Sequence, residues 1–222
     1  MLEHPKGYLN AYSTEPKPKA LTAGLGSKWE ILDTGFKYYP SILASHSPIQ
    51  ATLALVNKHP IDPRNIARIT NETYNTVATH FANKKVRGAM SARVSVPYCI
   101  AVSAVDRTLT QAQFAPERIR DPLVQDVLAK TEVIPDTELT QLYPAKFPAR
   151  VTITLTDGRA FQETVMFPKG DPQDPLSREE LEAKFHDNAR LIGPKRAASL
   201  LAAIYALPEA PSVDEVASHL HP

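Results

Sequence analysis

The segment from residue 149 to residue 167 reads ARVTITLTDGRAFQETVMF and carries the clearest structural pattern in the chain. Val151, Ile153 and Leu155 alternate with polar threonines, which is typical of a strand with one buried face. Asp157-Gly158 supplies the positive φ angles that a tight hairpin turn requires. The segment therefore predicts an antiparallel hairpin with strands at 149–156 and 159–167.

Helices and single strands are predicted before this hairpin. Ser47-Pro48 begins a helix that ends near residue 58, because proline is tolerated at the start of a helix. Asp121-Pro122 caps another helix that ends near residue 130. The other predictions are strands at 29–36 and 66–74, short helices at 75–82 and 110–114, a buried helix at 91–105, and a proline-broken connection at 134–148.

Only helices are predicted after the proline-rich turn at 168–172. Two capping boxes and one glycine–proline pair mark their starts: Ser177 with Glu180, Ser212 with Glu215, and Gly193-Pro194. The middle helix carries more apolar surface around Leu200 than three short helices can cover among themselves. The whole pattern predicts the α+β class, with an antiparallel sheet, flanking helices and C-terminal helices.

The composition is that of an ordinary soluble globular protein, with 43% apolar and 22% charged residues in a chain of 222. The formal net charge of +1 gives no reason to expect nucleic acid or an acidic membrane surface as a partner. The sequence contains no apolar run of membrane-spanning length and no apolar signal-peptide region. We therefore expect a cytoplasmic protein with no nucleic-acid or membrane partner. The single cysteine, Cys99, is expected to be a buried, unreactive thiol.

Motifs for phosphate and metal binding are absent from the sequence. Gly24-Leu25-Gly26 has no third glycine and no preceding strand, so it does not predict a nucleotide site. The seven histidines show no His-x₃-His or His-Glu-x-x-His spacing. We expect neither a metal ion nor a cofactor.

The stretch FKYYPSILASH, from Phe36 to His46, holds the densest group of chemically active side chains. Lys37 precedes a rigid proline turn, where it can bind an anion or act as an acid. His46 begins a helix, where outward-pointing N–H groups favour an anionic ligand. The alternative is a solvated Lys37 and a locally bonded His46. Tyr98 lies in an apolar helix, where a tyrosine usually belongs to the core.

Four motifs occur in a fixed order: EHPKGYL at 3–9, WEILDTGFKYYPS at 29–41, SVPYCIAV at 95–102 and FPKGDP at 167–172. Together they resemble the C-terminal half of the MmgE/PrpD family, whose members dehydrate, decarboxylate or epimerise small polycarboxylates. The resemblance implies a large helical domain and a smaller α/β lid, with the active site between them. It implies that residues 33–170 form the lid and that 1–32 and 171–222 return to the helical domain.

The resemblance also implies roles for individual residues. Lys37 matches the family's lid lysine, which contacts a substrate carboxylate or transfers a proton, and Tyr98 matches a tyrosine at the mouth of the same site. Both are predicted to be catalytic. Ser41 and His46 belong to the same turn motif and are predicted to bind substrate, although a structural role is equally implied for His46. Ile42-Leu43 departs from the family, which commonly has cysteine–arginine or a leading histidine there, so a different substrate preference is expected.

The family's N-terminal helical half, with its acidic base, has no counterpart in these 222 residues. We therefore predict cofactor-independent proton chemistry on a small polycarboxylate, with little or no activity of this chain alone. The expected partners are a helical-domain chain and further copies in a homo-oligomer. Two alternatives are a degenerate, non-enzymatic lid that serves as a binding or oligomerisation module, and one subunit of a split enzyme.

Overall fold

A computed structural model describes residues 2–219, and the chain divides into two compact units at residues 35 and 36. The first unit contains a short helix, α1 (Tyr8–Tyr12), and 3-10 turns at Pro18–Leu21 and Glu30–Asp33. The strand predicted at 29–36 is wrong. The N–H of Thr34 donates to the carbonyl oxygen of Ile31 and closes a turn, and residues 2–35 contain no strand with which this segment could pair. The predicted domain boundaries at residues 32 and 170 stay predictions.

The second unit is built on a four-stranded mixed sheet with strand order β2-β1-β3-β4. The strands are β1 (Ile66–Thr73), β2 (Thr131–Pro135), β3 (Ala149–Leu155) and β4 (Ala160–Val165). β3 pairs antiparallel with both β1 and β4, which confirms the hairpin, and every second residue of β3 is buried. The α+β class is confirmed.

The sheet is mixed and not wholly antiparallel as predicted, because β2 pairs parallel with β1 at one edge. Part of β2 falls in the connection predicted at 134–148, because the five residues of this strand are too few to show a recognisable pattern. Parallel neighbours need a long crossover connection, and here five helices lie between β1 and β2 in the chain.

The helices of this unit are α2 (His46–Lys58), α3 (Asn75–His80), α4 (Ala89–Arg93), α5 (Val96–Asp106), α6 (Pro116–Ile119), α7 (Pro122–Ala129), α8 (Thr137–Leu142), α9 (Arg178–Ala189), α10 (Pro194–Ala206) and α11 (Asp214–Ser218). The predictions of α2, α3 and α7 are confirmed. Asp121 caps α7 by accepting the N–H groups of Leu123 and Val124. The short helix predicted at 110–114 is a 3-10 turn at Gln111–Phe114.

The helix predicted at 91–105 is two helices, α4 and α5. Ser95 separates them, because its Oγ accepts the N–H of Tyr98 at 3.2 Å and caps a new helix. The same Oγ donates to the carbonyl oxygen of Asn83 at 2.6 Å. α5 is almost wholly buried and packs between α2 and α7, while α2 also covers β3 and β4. This arrangement places the start of α2 and the start of α5 in one core.

The C-terminal helices confirm one capping box and contradict the other. Ser177 and Glu180 exchange the two expected hydrogen bonds at the start of α9. Ser212 instead bonds to Asp214, so α11 begins without the predicted box. α10 begins at Pro194 as predicted. None of the helices in the described part of the chain combines the length and apolarity that a membrane span requires.

Candidate functional site

The segment of residues 36–46, called the lid turn below, is anchored to the loop that follows the hairpin. The N–H of Phe36 donates to the carbonyl oxygen of Gly170 at 2.8 Å. Gly170 has a φ of +91°, and a Cβ atom at this position would overlap the carbonyl group of Phe36. Glycine alone permits this approach. Two motifs that lie far apart in the sequence therefore meet at the lid turn.

Lys37 follows this anchor directly, and its side chain is exposed. It forms no ion pair with a carboxylate of residues 2–219. Its charge lies close enough to His46 to contribute to the lowered pKa of that imidazole. Lys37 is thus a cation that can accept a carboxylate ligand at the edge of the lid turn.

Ser41 is largely enclosed within the lid turn and is 7% exposed. Its Oγ lies 2.7 Å from the Oγ of Ser45, which donates to the carbonyl oxygen of Ile42 at 2.7 Å. Ser41 is therefore the donor in the serine pair. The N–H of Ile42 donates to the carbonyl oxygen of Arg93 and holds the turn against α4. The hydroxyl of Ser41 is used internally, and its contact with substrate stays a prediction.

Cys99 lies beside the same pair of serines, and the prediction of a buried thiol is confirmed. Burial raises the pKa of the Cys99 thiol to about 12, and the thiol donates to the carbonyl oxygen of Ala92 at 3.6 Å. The thiol is neutral at pH 7 and lacks the thiolate character of a nucleophile.

His46, the first residue of α2, is completely buried. Its ring meets Tyr39 edge to face at 5.4 Å between centroids. Burial lowers the pKa of the imidazole to about 4, with a further contribution from the positive charges of Lys37 and Lys184. The main chain of Ser41 and Tyr39 opposes this shift, but neither ring nitrogen has a hydrogen-bond partner at normal geometry among residues 2–219. His46 is therefore neutral at pH 7 and enclosed, and its contact with substrate stays a prediction.

Tyr98 is also completely buried, on α5. Its hydroxyl donates to the carbonyl oxygen of Gln113 at 2.5 Å, and burial raises its pKa above the ordinary range. Its ring lies against Phe114. The structure places Tyr98 in the core, where a substrate does not reach it without a rearrangement. The catalytic role that the resemblance implies for Tyr98 stays a prediction.

A polar network joins α2, the loop after the hairpin and α9. The side-chain oxygen of Gln50 accepts the N–H of Lys169 at 2.7 Å, and its amide nitrogen donates to Asp174 at 3.2 Å. The Nζ of Lys169 pairs with Asp174 at 3.4 Å and with Glu180 at 3.1 Å. In the sequence, Lys169 is recognisable only as part of the FPKGDP motif. Its partners lie on separate elements, so no local pattern identifies the network.

Arg107 and Lys184, which were not predicted as site residues, line a cavity of about 270 Å³ beside Tyr38 and Tyr39. Arg107 follows α5 and has a left-handed backbone with a φ of 57°. Lys184 lies on α9, far along the chain. Only the fold brings these two cations to one cavity. Among residues 2–219, no group of three or more histidine, cysteine or acidic side chains is placed to hold a metal ion.

Comparison with known proteins identifies the family. The family model described as the MmgE/PrpD C-terminal domain matches residues 39–207 of this chain. The chain belongs to the MmgE/PrpD family. The match begins within the lid turn and ends just after α10, so it includes both the sheet and the first two C-terminal helices.

Curated relatives of this MmgE/PrpD chain include cis-aconitate decarboxylases. The mouse enzyme is 29% identical over 71% of this chain, and the human enzyme is 28% identical over 81%. The cis-aconitate decarboxylase-like protein oryM of Aspergillus oryzae is 25% identical over 79% of this chain. These matches cover only 33% to 38% of the relatives' own length. The chain therefore corresponds to little more than a third of each relative.

Proposed function

We propose that this chain forms the lid and C-terminal part of a cofactor-independent enzyme of the lyase or isomerase type that acts on small polycarboxylates. The reaction is a dehydration, a decarboxylation or an epimerisation. The observation that carries the proposal is the match of an MmgE/PrpD C-terminal domain to residues 39–207, together with relatives named as cis-aconitate decarboxylases. Those relatives are about three times as long as the matched region.

Lys37 is the residue to which we assign direct contact with substrate. The lid turn is held by the Phe36–Gly170 hydrogen bond and by the buried ring of His46, so the exposed lysine is carried by a rigid support. A positioned cation stabilises a substrate carboxylate, and a positioned ammonium group can also deliver a proton. Within this proposal Ser41 and His46 maintain the shape of the turn beneath Lys37.

The same arrangement supports the prediction that the chain is inactive alone. Proton chemistry at carbon needs an acid and a base whose pKa values are separated. The lid turn offers an exposed cation and an enclosed imidazole, and its serine hydroxyls are bonded to one another. The opposing acidic base is expected from a helical partner chain.

The test is an assay of the purified 222-residue chain with cis-aconitate and with 2-methylcitrate, alone and after co-expression with a helical-domain chain of the family. We expect no turnover by the chain alone and turnover by the assembly. Lys37→Ala in the assembly should lower kcat/KM by about 100-fold or more, the scale of one positioned acid or charge. Lys58→Ala, an exposed lysine at the end of α2, is the matched control. Turnover by the isolated chain, or an assembly that tolerates Lys37→Ala, argues against the proposal.

A second candidate is a non-enzymatic lid that binds a partner or itself. Two observations favour it. Ile42-Leu43 is apolar at the two positions where the family resemblance implies polar residues, and an apolar groove of about 240 Å³ lies between α9 and α10. Its lining includes Leu181, Phe185, Leu201, Ile204 and Tyr205. Light scattering of the purified chain tests this candidate: a stable homo-oligomer without a helical partner supports it, whereas a monomer that assembles only with a helical chain supports the split enzyme.

A further inference from the structure

The cavity beside Tyr38 is lined by two cations that form no ion pair with a carboxylate of residues 2–219. Arg107 and Lys184 both line it, and neither lies within 4 Å of an acidic oxygen in that part of the chain. Asp187 is the acidic residue of the lining, and it forms no ion pair with either cation. The lining therefore carries one positive charge in excess.

The two cations come from different elements. Arg107 ends α5 in a left-handed conformation that costs a residue with a Cβ atom on the order of 1 kcal/mol. One of its guanidinium nitrogens donates to the carbonyl oxygen of Ile61 at 2.8 Å, which leaves other N–H groups for a ligand. The negative end of the α5 dipole helps to hold a cation at Arg107. The dipole does not explain the presence of Lys184 at the cavity, because Lys184 lies on α9.

The remaining lining combines hydroxyl and amide groups with apolar walls. Thr108, Thr110, Gln111 and Asn188 offer hydrogen bonds, and Pro40, Leu53 and Leu109 supply apolar surface. A volume of about 270 Å³ holds a molecule of several carbon atoms but is small for a nucleotide. The charge, the hydrogen-bonding groups and the walls together fit a short carbon chain that ends in carboxylate.

We propose that this cavity is a binding site for small organic carboxylates, with Arg107 and Lys184 as the carboxylate-binding pair and with Tyr38, Leu53 and Leu109 against the carbon chain. Lys37 does not line the cavity, so the site is separate from the residue assigned to catalysis. The inference holds whether or not the chain is part of an enzyme. If this cavity binds no carboxylate, the proposed enzyme activity of the assembly can still be found. If the assembly shows no activity, the cavity can still bind a carboxylate.

The experiment is a titration of the ¹⁵N-labelled full chain with succinate, followed by the amide signals of residues 108–111 and 183–188. We expect saturable shifts confined to these two segments. Lys184→Gln and Arg107→Gln should each weaken binding by about 5-fold or more, and Asp187→Asn should strengthen it, because it removes a repelling charge. Lys195→Gln, an exposed lysine on α10 with the same change of charge, should leave the affinity unchanged.

Inorganic phosphate distinguishes an organic carboxylate site from a general anion site. Phosphate leaves the apolar walls unfilled and should bind more weakly than succinate. Phosphate that binds as tightly as succinate, shifts that do not saturate, or equal affinities in Lys184→Gln and Lys195→Gln each overturn the proposal. Retained amide spectra of the variants show that they are folded.

Discussion

The lid turn buries polar side chains, whereas the C-terminal helices expose apolar ones. In the lid turn, the polar residues Ser41, Ser45 and His46 are 7%, 0% and 0% exposed. In the C-terminal helices, apolar residues remain open to solvent, with Leu191 at 91%, Ile204 at 37% and Tyr205 at 43% exposed. Burial stabilises apolar side chains and penalises unpaired polar ones, so each region departs from the usual distribution in its own direction.

The contrast indicates that the lid turn is held by contacts within the chain, whereas the C-terminal helices leave apolar surface uncovered. The lid turn closes on its own contacts, with serine hydroxyls bonded to each other and the turn anchored at Gly170. The helices α9 and α10 bury Leu200 but leave a groove between them. The lid turn thus holds Lys37 through contacts within the chain, while α9 and α10 present apolar surface that a partner or a second copy can cover.

Removal of the glycine that anchors the lid turn should have the largest effect. Gly170→Ala is expected to lower the free energy of unfolding by about 3 kcal/mol or more, because the new methyl group combines an unfavourable φ with overlap of the Phe36 carbonyl. Urea unfolding measures the change. Gly158→Ala is the matched control, since Gly158 has a similar φ of +87° but open space around it. A loss of only about 1 kcal/mol is expected there, and equal losses in the two variants would contradict the close approach.

Protonation of the buried imidazole should have the next largest effect. His46 has a pKa of about 4 in the folded chain, against roughly 6.5 in the unfolded chain. The unfolded chain therefore binds the proton more readily, and the stability that His46 contributes is complete above pH 6.5 and is lost as the pH falls to 4. The loss reaches about 3 kcal/mol. Denaturant unfolding from pH 7.5 to pH 4 measures it.

The comparison for this prediction is His46→Leu, which removes the titrating ring and its two unpaired nitrogens. Its stability at pH 7 should lie within about 1.5 kcal/mol of the parent chain, since the volumes are similar. Below pH 6.5, the free energy of unfolding of the parent chain should decrease relative to that of His46→Leu. His186→Gln, at an exposed imidazole of α9, should follow the parent profile. Parallel profiles for the parent chain and His46→Leu would show that His46 is not enclosed as described.

The smallest effect is expected at the open apolar surface. Leu191→Gln should change the free energy of unfolding of the chain by no more than about 0.5 kcal/mol, because Leu191 is already exposed. Leu200→Ala, at a buried position of α10, should cost about 2 kcal/mol or more. Thermal and urea unfolding compare the two. A large loss in Leu191→Gln would mean that a second copy covers this surface in solution.

Much of the fold follows from local pattern. The hairpin was predictable because alternation and Asp157-Gly158 specify a tight antiparallel turn without help from elsewhere. α7 was predictable because Asp121 satisfies N–H groups only two and three residues away. β2 was not, since a five-residue edge strand is defined by its partner β1. The break between α4 and α5 was missed because the apolar pattern continues across Ser95, which caps α5.

The candidate site was less accessible to sequence reasoning. Lys37 was identified from its motif, and the structure leaves it exposed. The interior position of His46 and of Tyr98 was not predictable from an active-site motif, since motif membership does not distinguish a side chain that meets substrate from one that supports the turn. Arg107 and Lys184 were missed because Arg107 follows α5 and Lys184 lies on α9, and no local sequence pattern connects the two.

The amino-acid sequence by itself determined the α+β class, the hairpin, the starts of α2, α7, α9 and α10, and the family, because each of these depends on neighbouring residues or on ordered motifs. The tertiary structure alone decided that Gly170 meets Phe36, that β2 joins the sheet in parallel, and that His46 and Tyr98 are enclosed. The physical reason is that contact and burial depend on segments far apart in the chain. As a result, the polar stretch from Phe36 to His46 forms a turn whose interior is enclosed and whose lysine, Lys37, is exposed.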